Sequence, residues 1–158
     1  MPAGLIIVAL VVASRSFSGT NRRRPYEATI LSVMRPIVLV LQMLARLLFV
    51  AQILIGFAIW FGWAPNAVTL HTALGSLFVL VLWIISAIAL FALSKRGVAL
   101  FGLLWGGLVL WFGMAQTTLL PGAQHWAIRL THLLVGLAAM GLAESLGRAV
   151  KLHSLRRS

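Results

Sequence analysis

Few side chains in this sequence could do chemistry inside a membrane, and His71 and His132 are foremost among them. His71 lies near the start of an apolar run that opens at Val68, and His132 near the start of another that opens at Trp126. At 1.5 Å per helical residue both imidazoles fall roughly 8–10 Å below the same membrane surface. Two neutral imidazoles at one depth on alternate helices suit the two faces of a single haem iron, with the haem b held without covalent attachment. Gly75 and Gly136 each follow a histidine by four residues, hence on the same helix face, where a missing side chain lets a flat macrocycle approach the backbone. Arg129 stands one turn before His132 and is placed to pair with a haem propionate, a charge-assisted contact. His125 and Trp126 mark the same rim. The plainer reading makes His71 an interfacial side chain, His132 an interhelical hydrogen bonder, and the glycines ordinary packing contacts. Zinc is not expected, because no third ligand of the right kind lies nearby.

Those residues need helices to carry them. Of the 158 residues 61% are hydrophobic and 9% charged, and the mean hydropathy is +1.04. Such a composition belongs in lipid, and the length suits one compact bundle. With no cysteine in the chain, disulfides, iron–sulfur clusters, thiolate zinc sites and covalent haem attachment are excluded. The net charge of +11 gathers at helix ends, as topology signals and phospholipid contacts do, so nucleic acid is not an expected partner.

Four apolar runs approach the length needed to cross a bilayer: one within Ile37 to Trp63, then about Val68 to Leu93, Val98 to Thr118 and Trp126 to Leu146. Short separators rich in Pro, Gly and Asn force neighbours to run antiparallel. The expected fold is all-α, an integral membrane four-helix antiparallel bundle over residues 36–147. Residues 1–35 form an extra N-terminal segment, interfacial or partly inserted, with a fifth short span through Leu5 to Ala13 as the rival. Residues 148–158 form a basic tail. Arg22, Arg23, Arg24 and Arg35, then Lys95 and Arg96, then Arg148, Lys151, Arg156 and Arg157 all fall on one side. The positive-inside rule makes that side the cytoplasm, with both termini facing it across the cell inner membrane. Trp60, Trp63, Trp111 and Trp126 sit toward the other interface. Arg46 and Glu144 read as anchors or salt bridges, Glu144 with Arg148 four residues on. Gln52 and Gln116 read as interhelical hydrogen bonders or as cavity or quinone contacts.

A weak internal echo pairs Trp60-Phe61-Gly62 with Trp111-Phe112-Gly113, each followed by a His-x-x-x-Gly. Two helix pairs built alike would give a pseudo-symmetric bundle. The stretch from Gly102 to Leu108, then Leu119-Leu120-Pro121 and His132 to Gly136, resembles one half of the haem A synthase family over about residues 44–147. It is similar also to four-helix membrane b-type cytochromes. That resemblance implies histidines on the second and fourth helices near the outer face, where His71 and His132 fall. The chain is half the family's length, has no cysteine pair, and has Val68, Thr69 and Leu70 where an acidic residue precedes the family's histidine. The resemblance therefore carries the haem-binding frame rather than the oxidative chemistry. The expected function is bis-histidine haem binding with electron transfer, quinone-linked or within a respiratory or photosynthetic complex. Two alternatives stay open: a non-redox accessory subunit binding lipid or pigment, and a half-size haem-modifying enzyme. Partners in these readings are the lipid bilayer and other membrane subunits or a second copy of the chain.

Overall fold

In hydrocarbon each backbone N–H and C=O must be satisfied within the protein, and a helix does this inside one segment. The computed structural model describes residues 23–93 and 96–157, with side chains over 33–93 and 96–155. In chain order α1 spans Arg23–Trp60, α2 Val68–Ala92, α3 Gly97–Ala115 and α4 His125–Arg157, with one 3-10 turn, Pro65–Ala67, leading into α2. Helices long and apolar enough to cross a membrane cover Val33–Trp60, Pro65–Ala92, Gly97–Ala115 and His125–Leu155. The four-helix membrane bundle expected from the sequence is the fold observed.

The turns end helices by identifiable chemistry. Gly62, at φ 75°, closes α1 in a Schellman arrangement: its N–H donates to Ile59 O at 3.0 Å and the Trp63 N–H to Ala58 O at 2.8 Å. A left-handed backbone there favours glycine. The α3–α4 turn uses Leu120 at φ 43° and Gly122 at φ 93° around Pro121.

Around the bundle α1 packs on α2, α2 on α3, α3 on α4 and α4 on α1; α2 also touches α4 across the diagonal. Large side chains of α2 (Phe78, Val79, Leu82, Ile85) are buried together with small ones of α4 (Ala139, Ala143) in a single core. Lipid offers no hydrophobic drive toward helix association, so close backbone approach and interhelical hydrogen bonds carry it. Both are present. A Cβ at Gly102 would lie 2.5 Å from Ser86 Oγ, and one at Gly147 2.5 Å from Gln42 Cδ. A Cβ at Gly106 would collide with the Trp83 indole. Trp83 Nε1 donates to Leu103 O at 2.9 Å and Trp105 Nε1 to Val135 O at 3.1 Å, joining α2 to α3 and α3 to α4.

The structure departs from the sequence reading at the basic end. The boundary expected at residue 35 is no break, since α1 begins at Arg23 and passes through Pro36. A proline inside a helix removes one hydrogen bond, and membrane helices tolerate that because neighbouring groups re-satisfy the freed carbonyl. Nor do residues from 148 onward form a separate tail: α4 continues to Arg157, with Val150 and Ser154 buried. The apolar segment Leu5 to Ala13 and the charged residues Arg22 and Lys95 lie outside the described residues.

Replacing Gly106 with valine forces the Trp83 indole off Leu103 and overpacks the α2–α3 contact. The expected cost is about 2 kcal/mol or more, read as a lowered midpoint of unfolding in mixed micelles.

Candidate functional site

His71 stands in the first turn of α2 and His132 in the second turn of α4, the two helices that meet on the diagonal. That contact brings the imidazoles together, with ring centroids 6.2 Å apart and ring planes at 51°. Both rings are partly buried, and in each the Nδ1 atom is buried without a hydrogen-bond partner. A buried polar atom left unpaired is costly in lipid, and two such atoms on neighbouring rings make this the candidate site.

Helices α1 and α3, on the other two corners, make room for the rings. A Cβ at Gly56 of α1 would lie 3.2 Å from His71 Cε1, and one at Gly113 of α3 would lie 3.4 Å from His132 Cε1. Each imidazole therefore rests against a glycine of the preceding helix. Phe112 stacks on His132, centroids 6.0 Å apart and planes at 14°. Gln52 Nε2 of α1 donates to His71 O at 2.6 Å, which ties α1 to the turn of α2 that presents the histidine. This is the interhelical role expected of Gln52.

Gly75 and Gly136 share the helix faces of their histidines, and the structure gives the two different surroundings. The face of Gly75 is closed by the Gln52 amide, 3.5 Å from where a Cβ would stand, while a Cβ at Gly136 would meet nothing within 4 Å. The two four-residue offsets are alike in sequence and unlike in surroundings. Arg129 holds its guanidinium 5.9 Å from the Trp60 ring centroid, a cation–π contact on the rim one turn above the pair. His125 is not brought to the pair; its Nδ1 lies 3.3 Å from Leu119 O in the α3–α4 turn. No family model, curated protein or solved structure matches this chain.

Two imidazoles alone make an incomplete site for an ion that needs four protein donors, and no group of three or more His, Cys, Asp or Glu occurs among the described residues. They suffice for a metal that arrives with its own equatorial ligands. Two imidazoles are the donor set that such a group takes, and in each ring a buried Nδ1 lacks a hydrogen-bond partner, so the residues present fit the donor requirement of a haem.

A second polar cluster lies lower in the bundle. Glu144 of α4 accepts from Arg46 Nε at 2.6 Å and from Arg46 Nη2 at 3.0 Å, a bidentate pair between helices. Gln42 Nε2 donates to Glu144 Oε2 at 3.1 Å and to Glu144 O at 3.2 Å. The partner of Glu144 is therefore Arg46 across the α1–α4 interface, where the sequence reading had Arg148 along the same helix. The reading passed over Gln42 and Gly56, and it named Phe112 and Gly113 only as part of the Trp-Phe-Gly echo. Spacing held a signal for two of them: Gln42 precedes Arg46 by four residues in an apolar run, and Gly56 precedes Trp60 by four.

Gln52→Leu removes one interhelical hydrogen bond and leaves the His71 carbonyl to its own helix. The expected loss is about 0.6 kcal/mol and below about 2 kcal/mol, measured by unfolding in mixed micelles.

Proposed function

We propose that this chain is a bis-histidine haem b protein of the cell inner membrane that passes electrons, linked to quinone or serving as a subunit of a respiratory or photosynthetic complex. The observation that carries the reading is the meeting of two partly buried imidazoles, 6.2 Å apart, each with an unpartnered buried Nδ1. A haem bound there supplies reversible one-electron chemistry.

The chain's own residues have separable tasks in this reading. His71 and His132 would hold the haem iron, and their helices fix the distance between the two rings. Gly56 and Gly113 hold the rings in place by admitting them against the backbone of α1 and α3. Phe112 walls His132 on the α3 side. Gly136, open beside His132, leaves space on the ligand face of α4, whereas Gly75 belongs to the Gln52 contact. Arg129 keeps N–H donors on the rim with its guanidinium 5.9 Å from the Trp60 ring centroid, so a carboxylate there finds a charge-assisted partner. This arrangement accords with the resemblance to four-helix b-type cytochromes. Arg35, Arg96, Arg148 and Lys151 all belong to the opposite end of the bundle, and by the positive-inside rule that end and both termini face the cytoplasm.

Protein extracted in mild detergent is expected to show the reduced-minus-oxidised spectrum of a low-spin b-type haem. His71→Ala and His132→Ala should each lower haem occupancy at least tenfold in folded protein. A colourless wild-type preparation, or unchanged spectra in both variants, overturns the reading. Gly113→Leu crowds the His132 ring without removing a ligand, and its expected effect is a partial loss of haem with a shifted midpoint potential.

A further inference from the structure

Independently of any haem, we infer that the α1–α4 face bearing Arg46 and Glu144 is covered by a second copy of this chain, related by a two-fold axis along the membrane normal. The ion pair lies at that face: the Arg46 side chain is 50% exposed and that of Glu144 25%. Arg46 is also deep. It stands fourteen residues from Trp60 in the apolar window Val33–Trp60, or about 21 Å along the helix. With Trp60 at one hydrocarbon boundary, a core of about 30 Å ends near residue 40 and leaves Arg46 about 9 Å inside it. Glu144 ties the guanidinium down through Nε and Nη2, so it does not extend freely toward the headgroups. Among the described residues the remaining nitrogen, Nη1, has only the sulfur of Met43 at 3.7 Å, a weak acceptor. An ionised group at such depth belongs against protein rather than acyl chains.

The face is self-complementary. It holds one cation and one anion side by side, so a two-fold rotation sets Arg46 of one copy beside Glu144 of the other, as an isologous interface requires. The adjoining surface of α4 permits close approach. Gly141, one turn before Glu144, is exposed, as are Ala138 and Ser145, and a Cβ at Gly141 would meet nothing within 4 Å. Small residues at such positions let helix backbones come together, and a bidentate guanidinium–carboxylate set shared between copies then fixes the register.

The absence of cysteine from the chain makes single-cysteine cross-linking direct. Gly141→Cys and, as a second variant, Ser145→Cys are oxidised in native membranes beside Leu104→Cys. Leu104 is 75% exposed on α3, the corner diagonal from α1, nine residues from Gly113 just as Gly141 is nine from His132. The expected result is a covalent dimer from at least one α4 variant and monomer from Leu104→Cys. Adding Arg46→Leu and Glu144→Leu together should slow the α4 cross-link at least tenfold in protein that still unfolds cooperatively. Equal cross-linking at all three positions overturns the proposal, as does monomer from all three while each thiol reacts with a maleimide. So does a phospholipid that co-purifies with monomeric wild type and is lost from the double variant.

Discussion

Helices α2 and α4 touch across the diagonal of the bundle, and the rest of the molecule is arranged around that contact. In a square of four helices the diagonal pair is ordinarily the distant one. Here α4 brings Ala139 and Ala143 to the core, both essentially without exposure, while α2 brings Phe78, Val79, Leu82 and Ile85. Small residues against large ones shorten the diagonal in that half of the bundle. Toward the other end the same two helices carry His71 and His132, whose rings take up the interval that alanine and leucine fill below.

Polar satisfaction follows from this frame. Hydrocarbon provides no partners, and four side chains find theirs on a neighbouring helix: Gln52 on α2, Trp83 on α3, Trp105 on α4, Gln42 on Glu144. These bonds run around the perimeter of the bundle and define which helices are neighbours. The buried atoms without partners are therefore conspicuous. Besides the two imidazole nitrogens they are Gln42 Oε1 and Ser86 Oγ. Gln42 still donates to Glu144, and Ser86 lies where a glycine, Gly102, admits it. The two imidazoles are neighbours, with ring centroids 6.2 Å apart.

Hydrophobic runs and turn residues made the four helices legible in the sequence, because a bilayer imposes length and composition on whatever crosses it. Helix ends at the basic side were not legible. Charge suggested a change of structure at residues 35 and 148, but α1 continues as a helix through Arg35 and Pro36 and α4 through Arg148. The histidines could be singled out as ionisable groups in apolar runs of like depth, and the structure brings their rings together. Their surroundings could not be read, since sequence spacing reports neighbours on one helix and the rings are enclosed by the others. Gly75 and Gly136 were visible at four-residue spacing, whereas Gly56 and Gly113, which lie against the imidazoles, are separated from them by a turn of chain. The Glu144 partner was misread for the same reason: Arg148 is near in sequence, and Arg46, ninety-eight positions away, is near in space.

The four helices are unequal in length. At 1.5 Å per residue, α1 with 38 residues reaches about 57 Å and α4 with 33 about 50 Å, while α3 with 19 reaches only about 28 Å. The apolar spans at the other three corners hold 28, 28 and 31 residues against 19 in α3, so a bilayer that thickens finds spare apolar helix everywhere but at α3, and hydrophobic mismatch concentrates there. That corner carries Gly113 and Phe112 against His132. Lipid thickness thus has a mechanical route to the imidazole pair, through the shortest of the four helices.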